Sequence, residues 1–187
     1  MMHNMLDTIE FMALFSYFVT NQAGDLLQFN QIRLEIIHTH ALILSVWAIA
    51  NILIGAYYTV HLEVGERQAF HHMNAAWNLI NLGIAWLMLY QVNTADPAQY
   101  GWLLSVSKHY QTQKLMLLNI GLDVSYTLAG LLLHEHSRHH PVHSALLCGF
   151  GRSLMLQGGF LLVLDICFYN AYLTQNETLR LLLSQIV

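Results

Sequence analysis

Charge is what this chain lacks most. Of its 187 residues only 10% are Asp, Glu, Lys or Arg, while 56% are hydrophobic; a typical soluble domain is about 25% charged. Seven Lys+Arg against eleven Asp+Glu leave a formal charge of −4 and no basic face, which excludes a nucleic-acid binder. So few charges cannot cover the surface of a water-soluble protein of this size, and so apolar a composition excludes disorder. Cysteine and proline are scarce too, two of each. Cys148 and Cys167 lie around the start of one helical run, over roughly 20 Å apart at helical rise, too far to bridge. They read as free thiols acting as small apolar residues. The remaining class is an integral membrane protein.

Long apolar runs are what the chain has instead. Nothing between Glu35 and Glu63, or between Arg67 and Asp96, is charged. From Lys114 to Glu135 the one charge is Asp123, and from Arg152 to Glu177 there are only Asp165 and the flanking residues. Each run holds the roughly 20 residues that a helix needs to cross a bilayer. The spans are expected near 39–60, 73–92, 113–134 and 152–173. The runs are continuous rather than alternating, which argues against a β-barrel. Short polar connections, Glu63–Gln68, Asn93–Pro97 and His134–His143, make neighbouring helices antiparallel. The fold class is therefore all-α, a polytopic membrane four-helix bundle with an N-terminal interfacial helix.

The divisions read as residues 1–35, an N-terminal interfacial or amphipathic region; 36–175, the four-span bundle; and 176–187, a C-terminal interfacial tail. Leu6–Val19 is apolar but short, carries Asp7 and Glu10, and lacks the basic start of a signal peptide. An extra span there is the alternative. Asp25 is placed to cap a helix running into the first span. Arg33, Lys108, Lys114 and Arg180 fall on one side of the membrane, and Arg67, Arg138 and Arg152 on the other, a slight lean toward a cytoplasmic N-terminus.

Each span carries polar residues on one face. Trp47, Asn51, Gly55 and Tyr58 share one, and Asn74, Asn78 and Asn81 a second, with Trp77 adjacent. Asn119, Asp123, Tyr126, Thr127 and Gly130 share a third, and Gln157, Leu161, Asp165 and Tyr172 a fourth. Residues three and four apart lie on one side of a helix. Facing lipid would be costly, so the four faces should turn toward one another. Asn51, Asn81, Asp123 and Asp165 fall near mid-depth, and two carboxyls in so small a bundle need partners or protons. The candidate substrate or proton site is Asp123, Asp165, Asn51, Asn78, Asn81, Tyr126 and Trp77. Interhelical hydrogen bonding alone is the competing use of the amides.

Histidine is abundant, with twelve residues. Eight gather on one side: His61, His71, His72, His134, His136, His139, His140 and His143. Gln68-Ala-Phe-His71-His72 and His136-Ser-Arg-His139-His140 resemble the histidine boxes of membrane desaturases and hydroxylases, which hold two irons. That resemblance makes His71, His72, His136, His139 and His140 candidate iron ligands, with a looser Zn or Cu site in the His134–His143 loop and a solvated loop that binds nothing as the alternatives. The HxxxH box of those enzymes is missing ahead of them. His38 and His40 lie at the opposite mouth and read as interfacial.

Two further resemblances concern the whole chain. Trp47-Ala-Ile-Ala-Asn51, Met73-Asn-Ala-Ala-Trp77-Asn-Leu-Ile-Asn81, Asn119-Ile-Gly-Leu-Asp123 and the stretch from Gly149-Phe-Gly-Arg-Ser to Asp165 resemble an uncharacterised family of small bacterial four-helix membrane proteins. This likeness covers about residues 28–173 and implies topology only, with no activity attached; the expected location is a bacterial inner (cytoplasmic) membrane. Trp77-Asn78 in a four-span protein is similar to small proteobacterial multidrug efflux transporters, although their next Asn comes one residue later and their early acid is missing here.

These readings converge on a non-enzymatic protein embedded in the lipid bilayer, binding or transporting a small polar or cationic solute with proton coupling. A histidine-dependent membrane enzyme and an accessory subunit, pairing with itself or with a partner membrane subunit, are the alternatives.

Overall fold

The computed structural model describes residues 2–184, with side chains from residue 22 onward. Four helices follow one another: α1 (Met2–His61), α2 (Glu66–Thr94), α3 (Trp102–Ser137) and α4 (Ser144–Ser184), with one 3-10 turn, Pro97–Gln99, between α2 and α3. No strand occurs among the described residues. Four segments, Gln22–His61, Glu66–Thr94, Trp102–Ser137 and Ser144–Ser184, are long and apolar enough to cross a membrane. The protein is an all-α, four-helix integral membrane protein.

The helices run well past the expected spans. Asp25, expected to cap a helix start, lies inside α1. The reason is a second polar layer beyond the charge-free runs. Asn30 donates to Ser105 Oγ at 2.9 Å, and Gln113 donates to Asn176 Oδ1 at 2.7 Å, where His109 Nε2 also meets it at 2.7 Å. These pairs let polar residues sit between helices without ending them. Beyond them Leu26 and Phe29 of α1 pack on Leu179 and Leu182 of α4. The stretch 176–184, set apart in the sequence as a tail, is thus the last part of α4. The expectation for residues 6–19 falls outside the described side chains.

Small residues let the helices approach. Ala41, Ala48 and Gly55 are buried at seven-residue intervals along α1, a spacing that keeps one seam facing a partner helix. A Cβ on Gly55 would meet the His71 carbonyl at 2.7 Å and Ala75 Cβ at 2.8 Å. Gly130 of α3 and Gly151 of α4 face each other just as closely, and Gly149 of α4 meets the start of α2. α1 pairs with α2, and α3 with α4; α4 also packs on α2 and α1. The backbones of α2 and α3 do not touch, so one seam of the bundle is open to lipid.

The turn expected at Asn93–Pro97 is there. Asp96 accepts from Ala98 N at 3.1 Å, and Pro97 starts the turn, the position where a missing N–H costs least. At the other end the α1–α2 and α3–α4 connections converge, tied by the Arg152–Glu66 ion pair. In a protein with Cys148 and Cys167 replaced by alanine, V64C and V142C should label from the same side of the membrane, and A98C from the other. Labelling of Val64 and Val142 from opposite sides would refute the four-span arrangement.

Candidate functional site

The asparagines form a chain of hydrogen bonds, and most of it is closed. Trp47 Nε1 donates to Gln157 Oε1 at 2.9 Å, Gln157 Nε2 donates to Asn74 Oδ1, and Asn74 Nδ2 donates to Asn51 Oδ1 at 2.7 Å. Asn51 Nδ2 returns to the Trp47 carbonyl at 2.8 Å, Asn78 to the Asn74 carbonyl at 2.8 Å, and Asn81 to Asn78 Oδ1 at 3.3 Å. This chain joins α1, α2 and α4. Asn51 and Asn78 therefore serve the helix contacts, and among the expected site amides only Asn81 reaches the space described next.

That space is a cavity of about 190 Å³ at the open seam between α2 and α3. Asp123 and Asp165 line it together with His40, Asn81, Trp77 and Tyr126. Both carboxyls are buried, at 3% and 5% exposure. Asp165 Oδ1 lies 2.9 Å from His40 Nε2, and the imidazole stacks on Phe168 at 4.6 Å. His40 is thus a buried partner of the acid, which corrects its reading as interfacial. The signal was present: His40 is eleven residues before Asn51, three helical turns along the same face. Asp123 Oδ2, Trp77 Nε1 and His40 Nδ1 are buried without hydrogen-bond partners. Trp77 meets Tyr126 edge-on at 4.7 Å, bridging helices whose backbones stay apart. Asn119, expected to turn inward with Asp123, is exposed at the cavity's edge.

Trp47 and Tyr58 stand elsewhere. Trp47 stacks on Phe160 at 3.7 Å, and Tyr58 lies half exposed against His71.

A model of DUF6992, a family of unknown function, matches residues 43–166, more than half of the chain. The chain belongs to DUF6992. No curated protein and no solved structure matches it. The resemblance to an uncharacterised four-helix family is accordingly borne out. In this DUF6992 protein the matched stretch contains both carboxyls, and His40 lies just ahead of it.

Among the described residues no group of three or more His, Cys, Asp or Glu could hold a metal ion. His136, His139 and His140 are exposed, with the rings of His136 and His140 4.1 Å apart. His71 is committed to Tyr58, and Gln68 donates to the Thr59 carbonyl at 3.1 Å, fastening the end of α1. His134 Nδ1 lies 3.3 Å from Cys148 Sγ, one more link between α3 and α4.

Proposed function

We propose that this protein binds a small polar or cationic solute at the Asp123–Asp165–His40 cavity in exchange for a proton, and carries it across a bacterial inner membrane. The observation that carries the reading is the unpaired, buried Asp123 carboxyl beside the Asp165–His40 pair in one cavity. No Lys or Arg lines this space. Two carboxyls face one imidazole, so even with His40 protonated one negative charge is left to balance. A buried carboxylate at mid-depth is held only with a proton or another cation beside it. The volume equals about six waters at about 30 Å³ each, which suits a solute of a few heavy atoms. The unused indole N–H of Trp77 and the amide of Asn81 supply polar contacts. Trp77 and Tyr126 offer ring faces to a cation.

The test uses the full chain in detergent, as wild type, Asp123→Asn and Asp165→Asn. Tryptophan fluorescence is titrated over about pH 4 to 9, where carboxyl and imidazole groups change charge. Proton release is measured on adding methylammonium or tetramethylammonium chloride, with sodium chloride as control. Wild type should show a fluorescence transition and release protons; Asp123→Asn should lose both while staying folded. Three superimposable titrations with no release would leave the carboxyls a purely structural role.

A further inference from the structure

A second polar cavity, of about 400 Å³, lies at the end of the bundle where α2 stops. It occupies the space between α1, the end of α2 and α3, the last two being helices whose backbones do not touch. Its polar lining is Arg33, Lys108, Gln91, Thr94, Gln111 and Thr112, with no Asp or Glu. Arg33 is 2% exposed. Its guanidinium lies over the Tyr100 ring, 5.5 Å from the centroid. Among the described residues no carboxylate pairs with it, and its Nε and Nη2 are buried without hydrogen-bond partners.

A buried, unpaired guanidinium is a costly arrangement. Arginine stays charged in proteins, so proton loss cannot relieve it. Nε and Nη2 share one edge of the planar group, the edge that presents two parallel N–H donors to an oxyanion. Tyr100 covers a face and the Tyr172 hydroxyl lies beside the group, but nothing hydrogen-bonds that buried edge. A carboxylate would satisfy the edge with its two oxygens. The Thr94 and Thr112 hydroxyls already donate to the Tyr90 and Lys108 carbonyls. Beyond the edge this cavity offers a lysine and two glutamine amides, more donors than two oxygens absorb. A tetrahedral phosphate, with oxygens pointing several ways, uses them.

We infer that the Arg33 cavity binds a phosphate-type oxyanion, either the headgroup of a phospholipid entering along the open seam or a free phosphate from the aqueous side. This site is separate from the carboxyl cavity and stands whether or not that cavity exchanges protons.

The full chain in nonionic detergent tests it. Native mass spectrometry first shows whether phospholipid co-purifies. Calorimetric titration then follows with inorganic phosphate and, separately, with short-chain phosphatidylglycerol in the same detergent. Wild type should retain a phospholipid or bind one of the two probes. Arg33→Gln should weaken binding about tenfold or more, and Lys108→Gln, at an exposed position, several-fold. Phosphate binding alone assigns a soluble oxyanion; lipid retention or lipid binding alone assigns a headgroup. Absence of both in wild type overturns the inference, as does affinity unchanged in Arg33→Gln. If Arg33→Gln does not fold, unchanged affinity in Lys108→Gln overturns it.

Discussion

Gly158→Leu should abolish the folded bundle, while Gly159→Leu, one residue on, should leave it standing. A Cβ on Gly158 would meet the Asp123 carbonyl and the Thr127 N–H of α3, each at 2.8 Å, and would strike Thr127 Oγ1. Two of those three atoms are backbone and cannot rotate aside. The third accompanies a hydrogen bond from Thr127 Oγ1 to the Asp123 carbonyl at 2.9 Å. α3 and α4 must therefore separate, which opens their whole contact. Overpacking commonly costs about 1–3 kcal/mol, and a leucine driven against backbone belongs at or above the upper end. At Gly159 nothing lies within 4 Å of the built Cβ. Its leucine should change stability by less than about 1 kcal/mol. Heating detergent-solubilised protein and following the monodisperse peak would compare them. Equal melting of the two variants would refute the close α3–α4 approach.

The second large effect is expected at Gln157, which is fully buried. Gln157→Leu keeps the bulk but strands Trp47 Nε1 and Asn74 Oδ1, one on each neighbouring helix. An orphaned buried polar group costs about 1–3 kcal/mol. Interhelical hydrogen bonds in membranes average less, about 0.6 kcal/mol, because the unpacked helices also find partners. Inside this packed chain the orphaning term dominates, and a loss of about 2–3 kcal/mol is expected. Trp47→Phe keeps the stacking on Phe160 and removes the N–H. Because both changes break one network, the double variant should lose clearly less than the sum of the singles. Strict additivity would show that the bonds carry little coupled energy.

The sequence made much of this legible, for identifiable reasons. Four apolar runs, two without charge and two with a single carboxyl, set the number of helices, and the i, i+4, i+7 spacing of Asn74, Asn78 and Asn81 pointed that face inward. Asp123 and Asp165 were visible because a carboxyl in an apolar run is rare. Arg33, His109 and Asn176 lie outside the minimum length needed to span the hydrocarbon, and Gln113 at its very edge, where polar residues normally mean the helix has reached water. Only the mutual pairing of His109, Gln113 and Asn176, and the burial of Arg33, show that they are interior. Nor can spacing along one helix separate amides closed on one another, such as Asn51 with Asn74, from a carboxyl left open such as Asp123. That distinction depends on which helices stay apart.

The gap between α2 and α3 has a consequence for what could arrive at Asp123. Ile80, Ile84 and Leu122 line the gap and are themselves well exposed, so its walls are those of the surrounding acyl chains. Partitioning then screens a visitor before any side chain touches it. A permanently charged ion is held back by the cost of leaving water, whereas a weak base dissolves in hydrocarbon in its neutral form and can take up a proton on reaching the carboxyls. Methylammonium and tetramethylammonium carry the same charge, but only the first can shed a proton and cross hydrocarbon in neutral form.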